Sequence, residues 1–557
     1  MLLVYGATLA PDLAPGHDSA ELTTAACLPG VAHPPSYPLY IVVGYLFSHV
    51  PLGSPAYRLN LMAAFFSALA VALAYLAFRR LTGNVGASLG ASLAFGLAQT
   101  PWRQAVGAEK YSLHLAILAA LLWLSADWTE LDPSRRSRRL GWIGLTLGLG
   151  LAHHHTILLA VPGLALLLGC SRPASWKGLG AVGLGLLVYL YTPLRALQHP
   201  ALNWGDPSSL DRFLWVVTRT GYGTVSLNTD TAAGAGLDQL GHYFHSLLWQ
   251  QFPVFGLAAL GAWKCRRGRL FCACLALDWL LMGPLFALQS GQSADEAHFD
   301  LLERFYASSY LVFAGLIAAG WAELVPGRWA WSLTPAALVA GLLHYPACSL
   351  RGQYQPADLE RTIFDRLPPR AIYLPGSDLC CGGALYTQLI LQERRDVQVL
   401  FPGLLGSAWY RASLAGPSLP PGIAEGTLPE LCAAWRARHQ EVYFDAIPTD
   451  VPGFFVPEGL VFRYLAPSEP LPDRIVTERA NFEFLQPQVR RGDYRRNPDQ
   501  PYWIHENLGR WASAFRRIAE SLAQSDPERA GQALDLAAEM DPQPIKDSQL
   551  RALILKR

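Results

Sequence analysis

Ionisable residues are scarce in this chain, and chemistry can occur where they gather. The first gathering is Asp18 with Glu21. They lie three residues apart in a helix-compatible stretch, 19–27, so both carboxylates share one helical face. A carboxylate held in that way can take a proton from a hydroxyl or orient it. A plainer reading stays open beside this one: Asp18 caps the helix and Glu21 completes a capping box. The second gathering is His33-Pro34-Pro35-Ser36-Tyr37-Pro38-Leu39-Tyr40. Its prolines hold the backbone extended and place His33, Tyr37 and Tyr40 rigidly; the segment can equally be a proline-rich turn with interfacial tyrosines. Arg58 with Asn60, Glu109 with Lys110 and Tyr111, His153-His154-His155, Arg195, Asn203 to Asp206, and Glu303-Arg304 complete the set. Arginine suits phosphate better than it suits lipid tails. Consecutive histidines on a helix diverge by about 100°, so the triplet cannot close around one ion, and no metal is expected. The 9 cysteines are scattered without zinc-site spacing, and the vicinal pair Cys380-Cys381 reads as packing.

The elements that carry these groups are mostly apolar. The chain has 557 residues, 44 Lys and Arg against 43 Asp and Glu, and a net charge of +1. Only 16% of residues are charged and 51% are hydrophobic, against about 25% charged in a soluble domain. A disordered chain and a basic nucleic-acid binder are excluded, so no nucleic acid is expected as a partner. Apolar runs fall at 1–10 (a short one), 56–78, 86–104, 111–126, 140–153, 156–170, 178–195, 243–263, 270–289, 306–323 and 329–347. They make about eleven spans, each ideally about 20 residues long. Basic residues follow every second run: Arg79 and Arg80, Arg135 to Arg139, Arg172 and Lys177, Lys264 to Arg269, and Arg328. These loops face the cytoplasm. The loops 11–55, 196–242 and 290–305, and everything after 347, then face outward, and the ionisable gatherings lie at that outer face. Asp278 is the exception within a span.

Past Ser349 no run is long enough to span. Ala371 to Leu374, Val397 to Phe401 and Glu441 to Phe444 read as strands, with helices over 383–393 and 429–439, which is a β-α-β-α-β rhythm. Residues 503–523 and 528–540 read as an amphipathic helical hairpin, with Ala530, Ala533, Leu534 and Ala537 as a small-residue face. Three segments are expected: a transmembrane domain over 1–348, an extracytoplasmic α/β domain over 349–475, and a C-terminal helical segment over 476–557, with one tetratricopeptide-like unit.

The run His17-Asp18-Ser19-Ala20-Glu21, then His33 to Tyr40, then Arg58-Leu59-Asn60, resembles the protein O-mannosyltransferase-related family of GT-C membrane glycosyltransferases. The likeness continues through Trp102 to Ala105, Glu109-Lys110-Tyr111, Gly148 to Ile157, Tyr191 to Arg195, Asn203 to Pro207, Glu303 to Tyr306, and Gly376 to Val397. The family usually has Gly where Ala20 and Ser36 stand, and the stretch Gly376 to Cys381 departs further. The resemblance implies a mainly α, polytopic GT-C enzyme. It would transfer a sugar, mannose in the family, with inversion, from a polyprenyl-phosphate carrier to a Ser or Thr hydroxyl of exported protein. It implies no cofactor; the partners are membrane lipids, the lipid-linked donor and the acceptor protein. Asp18 is then the catalytic base and Glu21 orients the acceptor. By position and chemistry, Arg195 and Arg304, supported by His154, are the candidates to hold the lipid phosphate, and His33, Tyr37, Arg58, Asn60, Glu109 and Asp206 complete the expected substrate site. Transfer to a lipid or cell-wall glycan, and transport of lipid-linked sugars, are the competing functions. An Arg-rich, Ala-, Leu- and Gly-rich composition points to a bacterial inner membrane.

Overall fold

The computed structural model describes residues 1–16, 18–223, 235–251, 255–265, 268–293, 295–414, 426–490 and 493–555. His17 of the first outer motif, and Arg266 and Arg267 of one basic loop, lie outside the described residues. The chain divides into two compact units: Met1–Ala10 with Ala25–Arg351, and Pro11–Thr24 with Gly352–Arg557. The first outer motif thus counts with the C-terminal part of the chain rather than with the spans.

The first unit is helical and apolar. Among the described residues, five helical runs are long and apolar enough to cross a membrane: Pro55–Thr82, Tyr111–Glu130, Lys177–Ala196, Arg269–Gln289 and Glu296–Leu324. The chain is an integral membrane protein. Pro55–Thr82 shows how the sequence sets such a helix. Ser54 accepts the Tyr57 amide at its start, a proline stands in its first turn, and Gly83 at φ 68° ends it. Its buried face is rich in small residues, Ala63, Ala64, Ser67, Ala70 and Ala74. That face lets the Tyr111–Ser125 helix approach until the Ser67 hydroxyl donates to Ser112 at 3.0 Å.

Several runs expected as single spans are broken. The 86–104 run becomes Val85–Gly96 and Gln99–Ala105, with Ala98 extended between them. Its freed groups are satisfied by side chains: the Leu97 carbonyl by His344 Nδ1 at 2.8 Å, and the Thr100 amide by Gln250 Oε1 at 2.9 Å. The 156–170 run starts as a 3-10 turn, His155–Ala160, before the helix Val161–Cys170. Pro284 lies in a π-turn, Leu281–Leu285, inside the 270–289 run. Apolar runs were legible, but polar side chains elsewhere decided where each could break.

The second unit holds a five-stranded sheet in the order β2-β1-β3-β5-β4. The strands are β1 Ile372–Leu374, β2 Gln398–Val399, β3 Val442–Phe444, β4 Phe454–Glu458 and β5 Val461–Leu465. β1 runs parallel to both β2 and β3, and β5 pairs antiparallel with β3 and β4. Ile372, Leu374, Leu400, Leu431, Trp435, Val442 and Phe444 form its core. The β4–β5 hairpin carries no clear strand signal in the sequence, because Pro457 and Gly459 interrupt its alternation. The helical hairpin is Tyr502–Leu522 and Pro527–Met540, with Ala530, Ala533, Leu534 and Ala537 buried. A further helix, Pro544–Leu555, joins it through a bidentate pair: Arg516 donates to Asp547 at 2.8 and 3.2 Å.

Candidate functional site

In the first unit, four segments of the sequence meet around two buried cations. Lys110 and Arg304 are 4% and 8% exposed, and Glu109 between them is 9% exposed. Arg304 Nη1 lies 3.8 Å and Lys110 Nζ 4.0 Å from the Glu109 carboxylate. Both cations also face the Tyr111 ring, the Arg304 guanidinium at 5.9 Å and the Lys110 ammonium at 5.2 Å from its centroid. Lys110 lies 5.1 Å from the Tyr37 ring as well. Tyr37 stacks on His154 with centroids 5.9 Å apart, and bonds His33 Nε2 at 3.2 Å through its hydroxyl. Two cations and one carboxylate thus share this aromatic-walled cluster, and Arg and Lys are the side chains that bind phosphate and carboxylate anions.

Its supports are local and polar. Asn60 donates to the Ala10 carbonyl at 2.9 Å and accepts the Ala108 amide at 2.8 Å, fixing the turn that carries Glu109 and Lys110. His153 reaches the Lys110 carbonyl at 2.8 Å and stacks on Tyr40. The three consecutive histidines have three destinations. His154 Nδ1 meets Thr156 Oγ1 at 2.7 Å, and His155 Nε2 meets the Tyr189 hydroxyl at 3.0 Å. Ser36 at φ 78° and Tyr37 at φ 44° turn the backbone into the left-handed region, where the glycine usual in the family at position 36 would be unstrained. Next along the Glu296–Leu324 helix from Arg304, Glu303 accepts from Ser246 at 3.0 Å, from His242 at 3.2 Å and from Arg103 at 3.4 Å.

Other expected substrate residues are occupied elsewhere. Arg58 spends its guanidinium on the carbonyls of Ser48, Leu52 and Gly53, at 2.7, 3.2 and 3.2 Å. Arg195, expected at the phosphate, donates to the carbonyls of Leu28, at 3.1 Å, and of Pro29. Asp206 accepts from Asn203 at 3.1 Å and pairs with Arg212. The Asn203 segment in turn bridges Val31. Arg195 and the 203–206 turn therefore hold the backbone just before His33, because a loop without secondary structure must find partners for its carbonyls. Lys110 and Tyr111, which the cluster places against Arg304, were legible only as neighbours of Glu109.

In the second unit, Asp18 and Glu21 present carboxylate oxygens within 4.8 Å of one another. Asp18 precedes the helix Ser19–Cys27, and its carbonyl accepts the Leu22 amide at 2.8 Å. Gly382 of the Asp378–Leu385 helix backs this segment: a Cβ there would stand 3.0 Å from Ala20 Cβ and 3.2 Å from the Glu21 amide. Behind that helix lies Glu360, 2% exposed, whose carboxyl is pushed well above the usual range by burial, with Asp445 adding to it. Burial also pushes the Cys380 and Cys381 thiols up, which disfavours a reactive thiolate.

The fold is that of GT-C membrane glycosyltransferases. Over 84% of this chain and 97% of the other, it is similar to the crystal structure of ArnT from Cupriavidus metallidurans in the apo state, with a TM-score of 0.53 and 10% identity. It is equally similar to the same enzyme bound to undecaprenyl phosphate, with a TM-score of 0.53, 12% identity, and 84% and 98% of the two chains covered. The family model "Protein O-mannosyl-transferase TMEM260 N-terminal domain" matches residues 18–177. Protein O-mannosyl-transferase TMEM260 of Mus musculus is 29% identical over 452 residues, 74% of this chain and 63% of the relative. The protein of that name in Dictyostelium discoideum is 23% identical over 467 residues, 73% of this chain and 57% of the relative. The match thus spans about three fifths of the length of these relatives. The chain resembles the protein O-mannosyltransferase-related family, as its outer-loop motifs imply.

Proposed function

We propose that the chain is a membrane glycosyltransferase that moves mannose from a polyprenyl-phosphate carrier to a Ser or Thr hydroxyl of an exported protein, with inversion. The observation that carries this reading is the burial of two cations, Lys110 and Arg304, in one cluster walled by Tyr37, Tyr111 and His154. It suits a phosphate delivered at the membrane surface. Support comes also from relatives named as O-mannosyl-transferases and from a neighbour of the same fold solved with undecaprenyl phosphate. In this mechanism Asp18 takes the proton of the acceptor hydroxyl and Glu21 orients that hydroxyl. The acceptor oxygen then forms its bond to the anomeric carbon on the face opposite the carrier. The carbon–oxygen bond to the phosphate breaks, and polyprenyl phosphate leaves with the electron pair. Lys110 and Arg304 offset the charge that develops there. His33 and Tyr37 flank the sugar, and Asn60 and Glu109 fix the cation-bearing turn. Arg58, Arg195 and Asp206 contribute by holding the loops that carry these groups. The chain supplies all of these groups itself, so the reading needs no cofactor.

The membrane that goes with this reading is the bacterial plasma membrane, with the site and the C-terminal domain on the outer side. The domain limits 1–348, 349–475 and 476–557 are kept as functional segments. The test is reconstitution in vesicles with labelled polyprenyl-phosphate-mannose and a Ser/Thr-containing peptide. The expected result is label in the peptide with inverted anomeric configuration. Label that crosses the bilayer while staying on the lipid would favour a transporter, and label that reaches only lipid or glycan acceptors would replace the acceptor class.

A further inference from the structure

The transfer reaction leaves unused a basic face of the first unit. Two of the runs apolar enough to cross a membrane, Tyr111–Glu130 and Lys177–Ala196, have an end here, so the face lies where the chain meets the bilayer surface. Between them the helix Pro133–Leu151 opens with Arg135, Arg136, Arg138 and Arg139. These arginines divide by direction. Arg136 donates to the carbonyls of Trp128, Thr129 and Arg172, at 3.0, 3.0 and 3.3 Å. Arg139 pairs with Asp127, which also has Arg80 at 3.5 Å. Arg135 and Arg138 are exposed. Arg135, Arg138, Trp142, Leu145 and Leu149 recur at helical spacing, so they share one face. Trp142 is 63% exposed, and the two leucines are half-buried. Along this face cation gives way to indole within about 6 Å, and indole to aliphatic over about 10 Å more. That is the order of headgroup, interface and acyl chain in one leaflet.

The segment 171–177 widens the face, because its backbone is fastened to the same helix. The Ala174 amide donates to the Pro133 carbonyl at 3.1 Å, and the Ser175 amide to the Ser137 hydroxyl at 2.9 Å. Gly178 packs so closely that a Cβ there would stand 2.7 Å from the Gly141 nitrogen. Trp176, 44% exposed, and Lys177 are thereby held near the level of Gly141 and Trp142. The carboxylates nearby do not cancel the charge. Asp127 is shared by two arginines; Asp132 accepts the Ser134 and Arg135 amides at 3.0 and 2.9 Å and pairs with Arg135 at 3.1 Å; Glu130 is exposed. Arg138, Arg172 and Lys177 are exposed and form no ion pair among the described residues. A cation surplus at headgroup level attracts anionic lipid, whereas a zwitterionic headgroup brings its own ammonium. An acidic protein segment would match the charge but leave the indoles and the leucine stripe without a partner. We propose that this face binds anionic phospholipid of the phosphatidylglycerol type from the leaflet beside it, with Arg138 and Lys177 at the phosphate and Trp142 and Trp176 at the glycerol level. The proposal does not depend on the chain being a transferase.

The test uses the full chain in phosphatidylcholine nanodiscs carrying a trace of photoreactive phosphatidylglycerol or, in a parallel sample, of photoreactive phosphatidylcholine. The reactive group lies near the glycerol, adducts are mapped by peptide mass spectrometry, and unlabelled phosphatidylglycerol is titrated in as competitor. The expected result is more adduct from phosphatidylglycerol than from phosphatidylcholine in peptides covering 135–149 and 172–179. Arg138→Gln and Lys177→Gln each weaken the apparent phosphatidylglycerol affinity about fivefold, the contribution of one cation at an anionic surface, and Arg138→Lys retains it. Both side chains are exposed, so these variants keep the fold, which thermal unfolding checks. Three results would overturn the proposal: equal labelling by the two lipids, a phosphatidylglycerol preference that survives Arg138→Gln combined with Lys177→Gln, or displacement by free glycerol phosphate, which would make this a site for a soluble anion.

Discussion

Replacing Arg304 by Gln isolates the phosphate-binding role assigned to the cationic cluster. Arg304 is 8% exposed, and its partners include the Leu301 carbonyl at 3.0 Å, the Glu109 carboxylate at 3.8 Å and the Tyr111 ring at 5.9 Å. A hydrogen bond to a charged group contributes about 1.5–3 kcal/mol, so its loss weakens binding of a polyprenyl phosphate by about 10- to 150-fold at 1.4 kcal/mol per decade. Removing one member of a buried ion pair also destabilises the fold, by up to about 3–5 kcal/mol where the remaining charge is left alone. Glu109 still has Lys110 at 4.0 Å, so the cost here falls below that range. Arg304→Lys keeps the charge and loses the planar fork, and is expected to bind with intermediate affinity. Glu109→Gln removes the competing anion and leaves phosphate affinity unchanged or raised. The assay is titration of undecaprenyl phosphate into nanodisc-held protein, with thermal unfolding recorded for each variant. Unchanged affinity in folded Arg304→Gln would refute the assignment, as would a loss of affinity in Glu109→Gln comparable to that in Arg304→Gln.

Other expectations follow from single contacts. The Glu360 carboxyl is held well above its usual range by burial. The folded state therefore keeps its proton where the unfolded chain, titrating near pH 4.3 or so, has lost it. Stability from this group is complete at low pH and falls as pH rises above the unfolded value towards the raised one. Glu360→Gln should raise the melting temperature of the second unit at pH 8 while changing it little at pH 4; an unchanged pH slope would count against a buried neutral acid. Gly382→Val should push Ala20 and Glu21 aside, since even its Cβ would stand 3.0 Å from Ala20 Cβ. A misplacement of about 1 Å costs about 100-fold in rate, so transfer should drop steeply while undecaprenyl phosphate binding persists; full activity would mean the 18–24 segment is not part of the site. Ser36→Gly relieves a φ of 78° but loses the Thr192 contact at 3.0 Å. It should change stability by less than about 1 kcal/mol, whereas Ser36→Val should lower it by about 1–3 kcal/mol.

The sequence made the membrane architecture legible because lipid leaves a composition signal that needs no partner: apolar runs, and basic residues after every second one. It did not reveal where those runs break. The break at Ala98 is set by His344 and Gln250, which lie far along the chain. The strands β1 and β3 were readable as short apolar runs, while β4 and β5 were hidden by Pro457 and Gly459. At the candidate site, residue type and position put Arg195 and Arg304 at the phosphate but did not separate these two. Arg58, Arg195 and Arg304 are alike in sequence. What separates them is that loop carbonyls claim the first two, and Arg304 sits with Lys110 beside the Glu109 carboxylate. Lys110 itself was discernible only through its neighbours, since no spacing rule links it to a residue nearly two hundred positions away.

The central claim is that an acidic residue of the first outer motif activates the acceptor. Asp18→Asn tests it most directly, because the amide keeps the shape and removes the base. With polyprenyl-phosphate-mannose and an acceptor peptide, the variant should retain undecaprenyl phosphate affinity and lose transfer by about 100-fold or more, the usual contribution of a positioned general base. Transfer by Asp18→Asn at the rate of the unaltered chain would contradict the claim.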